Sequence, residues 1–343
     1  MCAPETQMRR EVLEIPAAVD RLLSNRSKDV CAAADALRER DPAFMISVAR
    51  GSSDHVATYL KYASELLTGT PIASVGPSIA SVYKRKLKLA GSACLSVSQS
   101  GKSPDIVEMA RMARDTGALS IAMTNDPGSP LASVSDHTLY LDAGPELSVA
   151  ATKTFVNSAV IGIWLLAEWA MDDALRRAIF ELPKQLEQAV RQDWSDAKAA
   201  LKGRNSIFCL GRGPAYAISN EAALKFKETC QIHAESYSSA EVLHGPVSIV
   251  DTGFPVLALT AGDLAEQALT GVADEIAAKG AHVFATSPLV KTAKALPITR
   301  TDHPLTDPIS LIASFYAMVE QVAVARGINP DAPRHLKKVT EPV

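Results

Sequence analysis

The chain repeats itself. An apolar run from Phe44 to Ala49 meets Arg50-Gly51-Ser52-Ser53, and a helical pattern follows from His55 to Leu67. The same grammar returns as Ser206 to Leu210, then Gly211-Arg212-Gly213-Pro214, then a helix through Glu228. Setting Arg50-Gly51 on Arg212-Gly213 gives an offset of 162, and the following elements keep it to within a residue. Ala93 to Ser98 with Gln99-Ser100-Gly101 answers Pro255 to Thr260 with Ala261-Gly262. Helical segments Pro104 to Thr116 and Leu264 to Lys279 end at Gly117 and Gly280, and each leads into a further strand, Ala118 to Met123 or Ala281 to Ala285. A long fixed period of this kind is the mark of a duplication.

Short apolar runs alternating with helix-length segments predict βαβ units and parallel sheets covered on both faces. Right-handed crossovers then make each half an open, doubly wound sheet, so the fold class is α/β with two tandem αβα domains. Residues 1–40 read as N-terminal helices packed on the first half, 41–171 as the first domain and 172–204 as a connecting helix. Residues 205–330 read as the second domain and 331–343 as a C-terminal tail.

Composition narrows the class of partner. Of the 343 residues 47% are apolar and 21% charged, which excludes a disordered chain. A net charge of −3 offers no broad basic field, so no nucleic-acid partner is expected. The one basic cluster, Lys84-Arg85-Lys86 with Lys88, reads as a solvated face. Five cysteines without CxxC spacing argue against a disulfide framework or a zinc site and for a reducing compartment. The N-terminus lacks the apolar core of a secretory signal. The apolar stretch Ala159 to Ala167 is about half the ~20 residues of a spanning helix, so no membrane contact and a cytoplasmic location are expected.

In open α/β sheets, ligands bind beyond the carboxyl ends of the strands. There the first half places Gly51-Ser52-Ser53 and Ser98-Gln99-Ser100-Gly101-Lys102-Ser103, each opening a helix whose free N–H groups attract an anion. Hydroxyls of Ser53, Ser98, Ser100 and Ser103 add neutral donors for a phosphate, although such serines also serve simply as N-caps. No GxxxxGK[ST] or complete dinucleotide fingerprint accompanies them.

The second half has Thr260-Ala-Gly262-Asp-Leu in the matching place, and its chemistry lies elsewhere. Glu221, Lys225 and Glu228 share one helical face, either as a solvated ladder of ion pairs or as the polar lining of a cavity. His233 and Glu235 follow, and then His244-Gly245-Pro246 puts an imidazole on an irregular segment. No HExxH-like spacing occurs, so neither a metal nor another cofactor is expected.

Seven motifs in order resemble the sugar isomerase (SIS) family over nearly the whole chain. They are Ala49 to Ser53, Ser98 to Gly101, Glu146 to Lys153 (ELSVAATK), Glu221 to Glu228 (EAALKFKE), Ile232 to Glu235, His244 to Pro246 and Arg334 to Lys338. Within the family the chain looks most like the isomerase portion of glucosamine-6-phosphate synthase and the glutaminase-free glucosamine-6-phosphate deaminases. The resemblance implies a flavodoxin-like αβα fold in each half. It implies that Gly51, Ser52, Ser53, Ser98, Gln99, Ser100 and Ser103, with Val149 and Ala151, bind a phosphosugar. It makes Glu228 the base between C1 and C2, with Glu221 and Lys225 as its helix partners. His244 becomes the ring-opening group, contributed to the neighbouring subunit of a homodimer, and Lys338 the imine-forming amine.

The chemistry suits these residue types. Aldose–ketose interconversion needs a base that lifts a proton beside a carbonyl or iminium and returns it one carbon away. A histidine can shuttle the ring-opening proton near neutrality, and a partly neutral lysine can form an imine. Only about 40 residues precede the first half, too few for a glutaminase. The expected reaction is therefore hydrolytic, glucosamine 6-phosphate and water giving fructose 6-phosphate and ammonia. A galactosamine- or tagatose-type isomerase, a fructosamine phosphate deglycase and a non-catalytic phosphosugar sensor are the alternatives. Ala151 stands where the synthase has a serine, which removes one sugar contact. Lys102 replaces an acidic residue and is expected to add positive charge near the phosphate.

Overall fold

The computed structural model describes residues 5–338, in two compact units that each hold one five-stranded parallel sheet. The first sheet contains β1 (Met45–Val48), β2 (Ile72–Ser74), β3 (Ala93–Val97), β4 (Leu119–Thr124) and β5 (His137–Tyr140), in the order β2-β1-β3-β4-β5. The second contains β6 (Ser206–Gly211), β7 (His233–Ser238), β8 (Pro255–Ala258), β9 (His282–Ala285) and β10 (Lys294–Ala295). Its order, β7-β6-β8-β9-β10, is the same permutation, and it is the doubly wound order of flavodoxin-like sheets.

The duplication extends to backbone detail. The helices Ser52–Thr68 and Pro214–Cys230 lie 162 residues apart and have 17 residues each. Each is opened by a glycine in one unusual conformation, φ +56° and ψ −132° at Gly51, φ +57° and ψ −139° at Gly213. Any side chain is strained there, so both halves keep glycine at the tightest turn of the crevice.

Central strands are buried along their whole length, as strands covered by helices on both faces must be. In the first-sheet unit Ile46, Val48 and Cys94 pack with Ile106, Met109 and Ala113 of the Pro104–Asp115 helix. The second-sheet unit has Phe208, Leu210 and Val256 against Leu269, Ala273 and Ile276 of the Glu266–Ala278 helix. Its helix Asp307–Ala325 is long and apolar enough to cross a membrane, yet 83% of its most apolar window is buried inside the protein. It is a core helix, with Phe315 edge-on to Phe226 at 5.2 Å between centroids.

Three local expectations are corrected. Residues 1–40 were expected on the first half, but residues 5–16 belong with the second sheet. There Asp331 accepts the N–H groups of Gln7 and Met8 at 2.8 and 2.7 Å, a carboxylate on the positive end of the Gln7–Leu13 helix. The connecting segment is two helices, Asp173–Ala189 and Ser195–Ala200, separated where Trp194 is buried and donates to the Pro297 carbonyl at 2.9 Å. Finally, the segment Leu147–Thr152 also belongs with the second-sheet unit, which otherwise runs from Glu181 to Leu336. Cys94, Cys209 and Cys230 are buried free thiols, and Cys2 lies outside the described residues.

Candidate active site

β1 and β3 are neighbours, and the chain leaves them toward opposite edges of the sheet, so their carboxyl ends form the switch-point crevice where ligands bind. Arg50, Gly51 and Ser53 from one loop and Ser98, Gln99, Ser100 and Ser103 from the other line a cavity of about 370 Å³ there. Val97, Ile106 and Lys338 complete its wall, while Ser52 is not among the lining residues.

These serines do not spend themselves as helix caps. Ser103 holds the N-cap position of Pro104–Asp115 but makes no capping hydrogen bond, and the other helix is opened by Gly51. Ser98 Oγ accepts the Gly101 N–H at 3.2 Å and Ser100 Oγ accepts the Lys102 N–H at 3.3 Å. Both hydroxyls, acting there as acceptors, keep their protons to donate to a ligand. Gly101 has φ +62°, and a Cβ there would overlap the Ser129 side chain, so the loop's shape requires glycine twice over.

Charge enters the cavity through two cations. Lys338 Nζ donates to Glu146 Oε2 at 2.9 Å, and the same buried carboxylate accepts the Thr154 N–H and hydroxyl at 3.1 and 2.7 Å. Arg50 pairs with the buried carboxylate of Asp105, Nε to Oδ2 at 2.6 Å. The charge expected from Lys102 is directed elsewhere, since it pairs with Asp126 at 3.2 Å and does not line the cavity.

In the second-sheet unit the corresponding loop is hydrogen-bonded by the protein itself. The Gly262 N–H donates to Asp307 Oδ2 at 2.7 Å. The same side chain accepts from Thr301 N and Oγ1, both at 2.8 Å, and from Arg300 Nη1 at 3.0 Å. A buried carboxylate thus takes the hydrogen bonds that an anion would otherwise claim.

The polar face of Pro214–Cys230 is buried and is not a solvated ladder. Lys225 Nζ lies 3.0 Å from Glu221 Oε1 and 2.7 Å from Glu228 Oε2. The side chains of Lys225 and Glu221 are fully buried, and that of Glu228 is 21% exposed. Glu221 also accepts the Tyr316 hydroxyl at 2.9 Å. Burial alone would lower the Lys225 pKa, but the two carboxylates outweigh it and push the group above its usual range. Lys225 is therefore a fixed cation, not a nucleophile, and Glu228 is the one member of the triad that reaches solvent.

His244 ends a short 3₁₀ turn, Glu241–His244, followed by Gly245 at φ +145°, and it is exposed. His233 is exposed at the start of β7, and nearby Glu235 accepts the Tyr237 hydroxyl at 2.8 Å. Val149 and Ala151 sit half-buried in the Leu147–Thr152 segment, where the Val149 N–H donates to the Asp331 carbonyl at 3.3 Å. Among the described residues no three His, Cys, Asp or Glu gather as a metal-ligand set.

Sequence reasoning missed Arg50, Asp105, Glu146 and Tyr316 as members of these sites. Arg50 and Glu146 stand inside two of the motifs already singled out, so their positions were visible. Their ion-pair partners lie 55 and 192 residues away, beyond the reach of spacing arguments.

Two segments of the chain, residues 37–167 and 200–326, match the SIS domain. The chain belongs to the SIS family. It is 31% identical over 343 aligned positions to the isomerizing glutamine–fructose-6-phosphate aminotransferase of Sulfurisphaera tokodaii, covering 96% of this chain and 56% of that one. The chain spans about half the length of the curated relatives it matches. A crystal structure from Silicibacter pomeroyi DSS-3, described provisionally as a phosphosugar isomerase, superposes with a TM-score of 0.93 at 63% identity. That match covers 95% of this SIS chain and all of the other. The glucosamine-6-phosphate deaminase of Thermotoga maritima shares the fold, with a TM-score of 0.78 at 19% identity over 98% of this chain and 100% of that one.

Proposed function

We propose that this SIS protein is a phosphosugar isomerase that works hydrolytically on glucosamine 6-phosphate, giving fructose 6-phosphate and ammonia. The observation that carries the reading is the switch-point cavity, where two serine loops and a near-terminal lysine meet. Serine donors at helix starts suit a phosphate, and a lysine beside them suits an imine at the sugar carbonyl. The names of the Silicibacter and Thermotoga proteins and of the curated relatives point to the same class of substrate.

In this reading the chain acts as a cytoplasmic homodimer, with His244 serving the neighbouring subunit's site. His244 moves the proton that opens the ring. Glu228 takes the proton from C2 and returns it to C1, which turns the amino aldose into an imine at C2. The Lys338 amine adds to C2 and ammonia leaves. Water then attacks the lysine imine, releasing fructose 6-phosphate and restoring the amine. Glu146, 2.9 Å from Lys338 Nζ, is the acceptor for the proton the amine must shed before it attacks. The fixed charge of Lys225 supports the negative end of Glu228 on its own helix.

The test is ammonia release from a panel of amino sugar phosphates, with fructose 6-phosphate measured in parallel. Equal amounts of both from glucosamine 6-phosphate would support the reading. Ammonia from another amino sugar phosphate alone would keep the mechanism and change the substrate. Tight phosphosugar binding without ammonia would refute deamination.

A further inference from the structure

Arg50 is the second residue after β1 and immediately precedes Gly51, so the strand delivers it to the rim of the crevice. It lines the cavity, and its side chain is 48% exposed. Nε donates to Asp105 Oδ2 at 2.6 Å, and Nη2 reaches the same oxygen. Asp105 stands in the first turn of Pro104–Asp115 with its side chain 4% exposed, and Oδ1 accepts the Ile106 N–H at 2.9 Å. The pair ties the end of one loop to the helix that the other loop opens.

A guanidinium carries five N–H donors. Two go to Asp105, which leaves three on a half-exposed group at the cavity. A sugar phosphate brings about −1.5 to −2 charges at neutral pH, and an unpaired Asp105 at that helix start would repel it. Serine hydroxyls and the backbone N–H groups of a helix start attract an anion but bring at most partial positive charge, less than a phosphate carries. Lys338, the other cation of the cavity, is occupied with the reacting carbon in the mechanism above, and Lys102 is paired with Asp126.

We infer that Arg50 is the charge-bearing ligand of the substrate's phosphate and sets the site's preference for a phosphorylated over a neutral sugar. The inference rests on the phosphosugar reading of this cavity and does not depend on which sugar is turned over. Asp105 neutralises the helix start and holds the guanidinium, while the remaining donors take phosphate oxygens in the fork geometry that arginine offers and lysine does not.

The experiment is isothermal titration of inorganic phosphate, glucose 6-phosphate and unphosphorylated glucose into the full chain. Wild type, R50A, R50K and R50Q/D105N are compared, each with its melting temperature. R50A leaves the buried Asp105 unpaired, a destabilising state, so the double variant supplies the same loss of charge with a neutral pair in its place. Loss of a charge-assisted, forked contact is expected to weaken phosphate and glucose 6-phosphate alike by roughly 10–100-fold in R50A and in the double variant. R50K should fall between, and any weak glucose binding should not change. Unchanged phosphate affinity in either folded variant would make Arg50 a structural clamp only and overturn the inference. Wild type that shows no affinity for either phosphate would do the same. Phosphate binding through Arg50 without ammonia release from any amino sugar phosphate would sustain this inference and sink the deaminase reading.

Discussion

Removing the Lys225 ammonium is the sharpest probe of the buried triad. In K225M the fully buried Glu221 keeps the Tyr316 hydroxyl at 2.9 Å but loses its cation at 3.0 Å. Glu228, with 21% of its side chain exposed, can recruit water when its 2.7 Å contact is lost, so most of the cost falls on Glu221. Breaking a buried ion pair from one side costs about 3–5 kcal/mol. At about 2–4 °C per kcal/mol for a domain of this size, the melting temperature should drop by roughly 6–20 °C. Adding Glu221→Gln removes the stranded charge, so the K225M/E221Q double variant should recover at least half of that loss. Differential scanning calorimetry at fixed protein concentration reads both. The pH dependence follows from the same geometry. The folded pKa of Lys225 is raised above the unfolded value of about 10.4, so its contribution is whole at neutral pH and fades only as pH climbs past that value. K225M melting within about 2 °C of wild type, with no further change in the double variant, would refute the reasoning.

Further outcomes can be checked independently. Glu228→Gln should lower turnover by roughly 10²–10⁴-fold, the range for a lost general base, while glucose 6-phosphate affinity stays within about twofold; normal turnover would remove Glu228 from its role. Borohydride added during turnover should reduce a lysine imine and attach a hexose phosphate mass to Lys338, and labelling confined to any other lysine would exclude Lys338 as the amine. Asp274 accepts the N–H groups of Lys291, Thr292 and Ala293 at 2.9, 2.7 and 2.8 Å. Burial works to raise its pKa, but these donors and Lys291 outweigh it and hold it below its usual value. D274A should therefore destabilise by about 1 kcal/mol above the unfolded carboxylate pKa of about 3.9, and the gap to wild type should close as pH falls further. Urea midpoints measured across that range give the answer, and a gap independent of pH would exclude the carboxylate as the cause. Mixing E228Q with H244A chains should restore part of the activity if His244 serves the neighbouring subunit, and no recovery despite verified subunit exchange would argue against sharing.

What was legible in the sequence follows the strength of local signals. The 162-residue offset located both central strand pairs because β1, β3, β4, β6, β8 and β9 are mostly apolar and buried along most of their length. Edge strands were harder: β2 has three residues, two of them exposed, and β10 has two, too few to show a period. The Gln7–Leu13 helix buries Met8, Glu11 and Val12, but nothing in seven residues says which sheet it covers. That was decided by Asp331, more than 300 positions away, capping its first turn. Glu221, Lys225 and Glu228 could be placed on one face by spacing, yet whether water covers that face depends on the Asp307–Ala325 helix packed beside it. Pattern gives the face, and packing gives the dielectric that makes a lysine there a permanent cation.

The duplication is also asymmetric, since the two copies of one crevice have different polar surroundings. Both halves keep the glycine that opens the first helix and the same strand order, so the backbone of an anion site is present twice. In the first half the loop after β3 offers hydroxyls to a cavity of about 370 Å³, and its Asp105 is answered by Arg50. In the second half the Gly262 N–H, Thr301 and Arg300 converge on the internal carboxylate of Asp307. A carboxylate supplied by the chain costs no translational freedom on each encounter, which gives it the advantage over a free anion for those donors. The second copy thereby gains a rigid, fully satisfied polar network at the start of its core helix, Asp307–Ala325. The first helix of that half carries the buried Glu221–Lys225–Glu228 triad. A hydroxyl-lined cavity in one half and an internally satisfied polar network in the other are thus two outcomes of one duplicated backbone.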